Sequence, residues 1–177
     1  LIASGDTDGI FQLEGGGMRQ FLQTMQPENF EDIIAAVSLY RPGPMDSIPR
    51  YIRGKHDPAS VTYITPKLKP ILDVTYGCMV YQEQVMQIVR DLAGYSLGRS
   101  DLVRKAMAKK KHDVMAQEKE NFIHGVVKDD GAVEIPGAVR MGVSEEAAEQ
   151  IYDEMAAFAS YAFHKSHAAA YARVAVE

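Results

Sequence analysis

Long apolar runs are missing from this 177-residue sequence. Nowhere do roughly 18 apolar residues stand together, the length a membrane helix needs, so no spanning segment is expected. The start lacks a basic stretch leading into an apolar core, so no signal peptide is expected. Cysteine is almost absent: Cys78 stands alone, which excludes an intrachain disulfide and fits a reducing cytoplasm. Internal repeats and low-complexity tracts are absent too. Apolar residues are not scarce. At 46% apolar and 24% charged the usage is ordinary for a globular chain, which excludes disorder throughout. The length fits one domain over residues 1–177 with a single core. The chain begins with Leu1 rather than Met and stops at Glu177 inside an alanine-rich helical pattern, so a piece of a longer protein is expected.

Positive charge is scarce overall and concentrated locally. The net charge is −5, which argues against a surface that coats nucleic acid generally. Between Arg99 and Lys111, however, stand six basic residues (Arg99, Arg104, Lys105, Lys109, Lys110, Lys111) and one acid, Asp101. That stretch carries a surplus of five positive charges and leaves −10 on the rest. A local cationic patch on an anionic body suits a specific anion.

The apolar spacing is mostly helical, so the expected fold class is mainly α, with at most one or two short strands. Phe30, Ile33, Ile34 and Val37 follow the i, i+3, i+4, i+7 rule, with Asn29 as cap and Glu31 and Asp32 in the first turn. Arg41-Pro42-Gly43-Pro44 ends that helix. A short helix is expected over 45–53 and a loop over 56–66. Val85, Ile88, Val89 and Leu92 form another helix, stopped by Gly94. A basic helix should run over about 98–110 and the next over 112–127. Residues 128–142 hold Gly131, Pro136, Gly137 and Gly142 and read as a loop or small hairpin. Ser144 opens a helix with apolar face Ala148, Ile151, Tyr152, Met155, Phe158 and Ala159, and a last helix begins near Ser166. Strand candidates are 9–13 and 78–81, which read equally as extended segments.

Several motifs in order carry a family resemblance. They are Gly9-Ile10-Phe11-Gln12-Leu13-Glu14, Phe30-Glu31-Asp32-Ile33-Ile34-Ala35, Leu39-Tyr40-Arg41-Pro42-Gly43-Pro44, and Tyr81-Gln82-Glu83-Gln84-Val85-Met86. Then come Leu92-Ala93-Gly94-Tyr95-Ser96-Leu97-Gly98, Arg104-Lys105-Ala106-Met107 with three lysines following, and Phe163-His164-Lys165-Ser166-His167-Ala168-Ala169-Ala170-Tyr171-Ala172. This order and spacing resembles the alpha subunit of bacterial DNA polymerase III, the C-family replicative polymerase, over nearly the whole chain except 128–142. The resemblance implies a multi-helix fingers region, a DNA-directed DNA polymerase as parent, and a bacterial, cytoplasmic setting. It also implies that the catalytic aspartates, and the Mg2+ they hold, belong to an upstream palm, so that the fragment alone is inactive. DNA primer-template, deoxynucleoside triphosphates and replicase subunits such as the sliding clamp are the implied partners. The sequence departs from the family pattern in three places. Lys105 stands where a second arginine is usual, His164 where asparagine is usual, and Gly15 where serine is common.

Within that frame the resemblance assigns Arg104 and Lys105 to the incoming triphosphate. Nucleotidyl transfer needs positive charge near developing phosphate charge; arginine supplies a planar fork and lysine a point charge. Leu102, Val103, Ala106 and Met107 are expected to face the core, leaving Arg104, Lys105 and Ala108 on another side. The bland reading is a solvated basic helix with its lysines near the negative end of the dipole. For Lys109, Lys110 and Lys111 two readings stay open: DNA phosphate contacts, or solvation of a helix end. Lys165, Ser166 and His167 are assigned to the nascent base pair or sugar, His167 as a barrier to a ribose 2′-hydroxyl; otherwise Ser166 is an N-cap and His167 a first-turn residue. The small residues after them would let another body approach closely. Arg41 is expected in a structural salt bridge, and Tyr81 to Gln84 in an internal polar network.

Other signals are set aside. Asp6-Thr7-Asp8 reads as a turn rather than a metal pair. His164 and His167 lack a third ligand, so no metal site is expected. Gly15-Gly16-Gly17 lacks the Lys-Ser/Thr ending of a phosphate loop and reads as a flexible turn. Cys78 has no signature of a nucleophile. The competing function is a non-catalytic helical nucleic-acid-binding module using the basic Arg99–Lys111 helix; a purely structural helical domain is the third.

Overall fold

The computed structural model describes residues 1–159 and 165–176. The architecture is mainly α, as the spacing predicts. In chain order the helices are α1 (Gly16–Met25), α2 (Phe30–Leu39), α3 (Ile48–His56), α4 (Lys69–Leu72), α5 (Gln82–Ala93), α6 (Leu97–Ala108), α7 (His112–His124), α8 (Glu145–Ala159) and α9 (Lys165–Val176). The strands β1 (Val126–Val127) and β2 (Val133–Ile135) pair antiparallel. No described helix is long and apolar enough to cross a membrane.

Caps explain several boundaries. Asn29 Oδ1 accepts from the Asp32 amide and starts α2, and Ser96 Oγ accepts from the Arg99 amide and starts α6. Gly94 ends α5 in the left-handed region, φ 78°. α7 stops three residues before the apolar pattern suggests. Gly125 turns the chain at φ 82°, and its neighbours on the other arm, Ile135 and Pro136, lie so close that a side chain there would collide with backbone. Val126 and Val127 therefore peel away into the hairpin with β2.

Three expectations are corrected, while the small hairpin expected near 128–142 is present. The 9–13 segment is a set of tight turns, held by the Thr7 hydroxyl donating to the Leu13 carbonyl, and not a strand. The described ladder lies instead at β1 and β2, because weak alternation around Gly131 closes into a hairpin. The glycine triplet is no flexible turn: Gly15 caps α1 and the other two open it. Met18, Phe21, Leu22 and Met25 of that helix are buried at i, i+3, i+4 and i+7, and their burial outweighs a glycine cost of about 0.5–1 kcal/mol per residue. Leu102 is exposed at 60% rather than core-facing. The inward stripe of α6 is Ser100, Val103 and Met107, which turns Leu102 outward and brings Arg104 to the flank beside α5.

The interior holds two buried clusters rather than one core. The first gathers α4, α5, α6, α7, β2 and α8 around Ile88, Leu92, Phe122 and Met155. The second gathers α1, α2, α3 and α9 around Leu22, Leu39, Tyr51 and Ala172. The segment before α5 divides between them, Met79 entering the first and Cys78, Val80 and Tyr81 the second. α9 closes the second cluster from far along the chain, laying Ala168, Ala172 and Ala175 against α2.

Candidate functional site

The first turn of α5 is the hub of the site, and a buried glutamine fixes it. Gln84 Oε1 accepts from the backbone amides of Val80 (2.8 Å) and Tyr81 (3.0 Å). Its Nε2 donates to Thr75 Oγ1 at 2.9 Å. The polar network expected around Tyr81 to Gln84 is thus present, and it holds the entry into the helix.

Two side chains on that turn reach toward the two groups of residues singled out above. Gln82 Oε1 accepts from Arg104 Nη1 at 3.0 Å. Glu83 Oε2 accepts from the backbone amide of Lys165 at 3.1 Å, placing a carboxylate at the positive end of α9. Lys165 Nζ lies 2.7 Å from Glu31 Oε2 and 5.5 Å from the centre of the Tyr81 ring. Residues 104 and 165, remote in sequence, are therefore joined to adjacent residues of one helical turn. Ser166 and His167 are exposed next to this joint. Ser166 lies inside α9 rather than at its cap, since the helix begins at Lys165.

Arg104 and Lys105 are not bare cations. Asp101 Oδ1 accepts from Arg104 Nε (3.1 Å) and Nη2 (2.7 Å), and Asp101 Oδ2 lies 2.6 Å from Lys105 Nζ. Hydrogen bonds from Lys105 and then Arg104 hold the Asp101 carboxyl below its ordinary range. The Arg104 side chain is 13% exposed and that of Lys105 55%. Arg104 is thus a largely buried fork held on two sides, and Lys105 a more exposed point charge beside it.

The rest of the basic stretch divides. Arg99 Nη2 donates to Glu118 Oε1 at 2.5 Å, and the Tyr95 hydroxyl donates to Glu118 Oε2 at 3.1 Å, so Arg99 is engaged in a structural bridge between α6 and α7. Lys109, Lys110 and Lys111 make the turn from α6 into α7, with Lys110 left-handed at φ 51°. Lys110 also lines a cleft of about 640 Å³ with Pro44, Arg50, Cys78, Met79 and Glu154. This cleft runs beneath the proline turn after Arg41. Burial, only partly offset by Arg50, pushes the Cys78 thiol up to about 11, which makes it a poor nucleophile at neutral pH. Burial also lowers the Arg41 guanidinium from its ordinary value, with the Tyr171 phenol of α9 nearby.

The alanines after His167 have a different use from the one expected. Ala168 and Ala172 are fully buried, and the body they admit is α2 of the same chain. Asp8 is paired with Arg19, and among the described residues no three His, Cys, Asp or Glu side chains converge as a metal site requires. Phe163 and His164, including the histidine at the usual asparagine position, lie outside the described residues. Sequence reasoning missed Asp101, Gln82 and Glu83 as the partners of the site. The i, i+3 and i, i+4 spacing of Asp101 to Arg104 and Lys105 was the available signal.

Comparison with known proteins identifies a family. The model of the bacterial DNA polymerase III alpha subunit finger domain matches residues 1–130. The DNA polymerase III subunit alpha of Halalkalibacterium halodurans is 48% identical over 177 residues, all of this chain and 15% of that protein. The proteins of the same name from Staphylococcus aureus strains Mu50 and N315 are 46% identical over 175 residues, 99% of this chain and 15% of theirs. The chain thus spans about 15% of the length of these curated relatives.

Proposed function

The chain belongs to the bacterial DNA polymerase III alpha subunit finger domain family, and from that premise we propose that it binds the incoming deoxynucleoside triphosphate and the nascent base pair during template-directed DNA synthesis. One observation carries the reading: Arg104 and Lys165 are both tied to the first turn of α5, through Gln82 and Glu83. A phosphate group and the sugar or base attached to it need contacts from two sides, and this turn supplies a common frame for them. Arg104 and Lys105 take the triphosphate oxygens. Lys165, Ser166 and His167 line the sugar and base side, with His167 set against a ribose 2′-hydroxyl. Lys109, Lys110 and Lys111, at an exposed turn, would contact DNA phosphates.

The chemistry here is positioning and electrostatics. In the family Mg2+ would be held by the upstream palm of the parent polymerase, and this chain's own part is to seat the phosphates. A general DNA-binding stripe along α6 is less favoured, because Arg99 is held by Glu118 of α7 while Arg104 and Lys105 are held by Asp101, so the cations do not form one open run.

Steady-state kinetics of the complete alpha subunit test the reading. Arg104→Ala should reduce kcat/KM for deoxynucleotides by about 1–3 kcal/mol of transition-state stabilisation, the scale of a charge-assisted contact. His167→Ala should relax discrimination against ribonucleotides. A folded Arg104→Ala subunit with parental kinetics would refute the assignment of the triphosphate, and unchanged ribonucleotide discrimination would remove His167 from the sugar.

A further inference from the structure

Asp101 is an acid placed between the two cations proposed to take an anion. Its two oxygens divide the two cations: Oδ1 takes Nε and Nη2 of Arg104, and Oδ2 takes Nζ of Lys105. A phosphate group, also an oxyanion, competes for the same donors and can engage the arginine fork and the neighbouring lysine together. The carboxylate therefore sits in the seat a phosphate would occupy. It is also within reach of solvent, with about a third of its side chain exposed (34%). Arg104 has a second anchor, the bond to Gln82, which does not depend on Asp101. Lys105 is the more exposed of the two cations and extends from the open side of α6.

We propose that Asp101 is a positioning residue that occupies the phosphate seat of Arg104 and Lys105 and, by its charge, tunes the affinity of the site for the triphosphate downward. This rests on the nucleotide-binding reading above. An arriving triphosphate displaces the carboxylate from Lys105 while Gln82 keeps the Arg104 fork aimed. Before that exchange, Asp101 keeps both side chains ordered, so less side-chain freedom is lost when the nucleotide docks. During it, the fixed negative charge repels the ligand and competes for its partners. Loose binding of substrate favours release of a mismatched nucleotide before chemistry commits it.

Asp101→Asn separates these effects in the complete alpha subunit. The amide oxygen still accepts from Arg104, whereas the charge is gone. The expected result is a fall in KM for deoxynucleoside triphosphates of roughly three- to ten-fold, from one unit charge acting at ~5 Å under water-like screening, with a steeper dependence on salt. Asp101→Glu, which keeps the charge, should leave KM near the parental value. Arg104→Ala should raise KM in either background. An unchanged or raised KM for a folded Asp101→Asn subunit, while Arg104→Ala still raises it, overturns the proposal and leaves the nucleotide reading standing. An Arg104→Ala subunit with unchanged KM overturns the proposal, and one with unchanged kcat/KM overturns the nucleotide reading as well. Tighter binding of primer-template with no change in nucleotide KM also overturns it, because the charge then acts on DNA generally.

Discussion

Replacing Gln84 tests the frame on which both halves of the site depend. The residue is buried, and its Oε1 is an acceptor for two buried backbone amides, at Val80 and Tyr81. Its Nε2 bonds to Thr75, whose hydroxyl also donates to the Cys78 carbonyl at 2.7 Å, so the loss spreads into the segment between the two buried clusters. Gln84→Met keeps the volume and removes the acceptor. Each buried amide left without a partner costs about 1–3 kcal/mol, so losing the acceptor for both should destabilise by about 2–6 kcal/mol. Gln84→Ala should cost a similar amount, because the space left by the amide can admit water that satisfies part of what is lost. For a chain of this size that corresponds to a fall in Tm of roughly 6–18 °C. Urea and thermal unfolding followed by circular dichroism give the number. If Gln84→Met unfolds within about 0.5 kcal/mol of the parent, the amide acceptor is not what holds the start of α5.

Two further predictions concern the packing beneath the site. Because burial raises the Cys78 thiol from 9.0 to about 11, its neutral form is favoured in the folded state. That contribution is fully present below pH 9.0 and is lost as pH rises through about 11, so stability should decline over this window, less so for Cys78→Ala. A thiol reagent at pH 8 should label the folded chain far more slowly than the urea-unfolded chain, and equal rates would contradict the burial. Ala168→Leu at the contact of α9 with α2 should cost about 1–3 kcal/mol by overpacking and move Lys165 away from Glu83. A crystal structure of that variant with α9 in its parental position would refute the tight fit.

Much of the fold was legible because it is local. The i, i+3, i+4, i+7 pattern with Asn29 in front marked α2, and the same spacing with Gly94 behind it marked α5. The cationic stretch from Arg99 to Lys111 and the order of motifs were enough to name the family. Where local signals misled, a distant contact was the cause. Three glycines look like a turn until the apolar face of α1 is buried, and α7 looks four-square helical to Val127 until Gly125 meets the far arm of the hairpin.

From residue order alone came most of the longer helices, the caps at Asn29 and Gly94 and the presence of a cationic element, since each depends on neighbours three or four positions apart. The meeting of Arg104 and Lys165 on one turn of α5 came only from tertiary packing, as did the division of the interior into two clusters and the use of the α9 alanines against α2. Hydrophobic burial has no direction, so the spacing of apolar residues specifies which face of a helix is hidden but not which helix hides it; that choice is made by the whole chain at once.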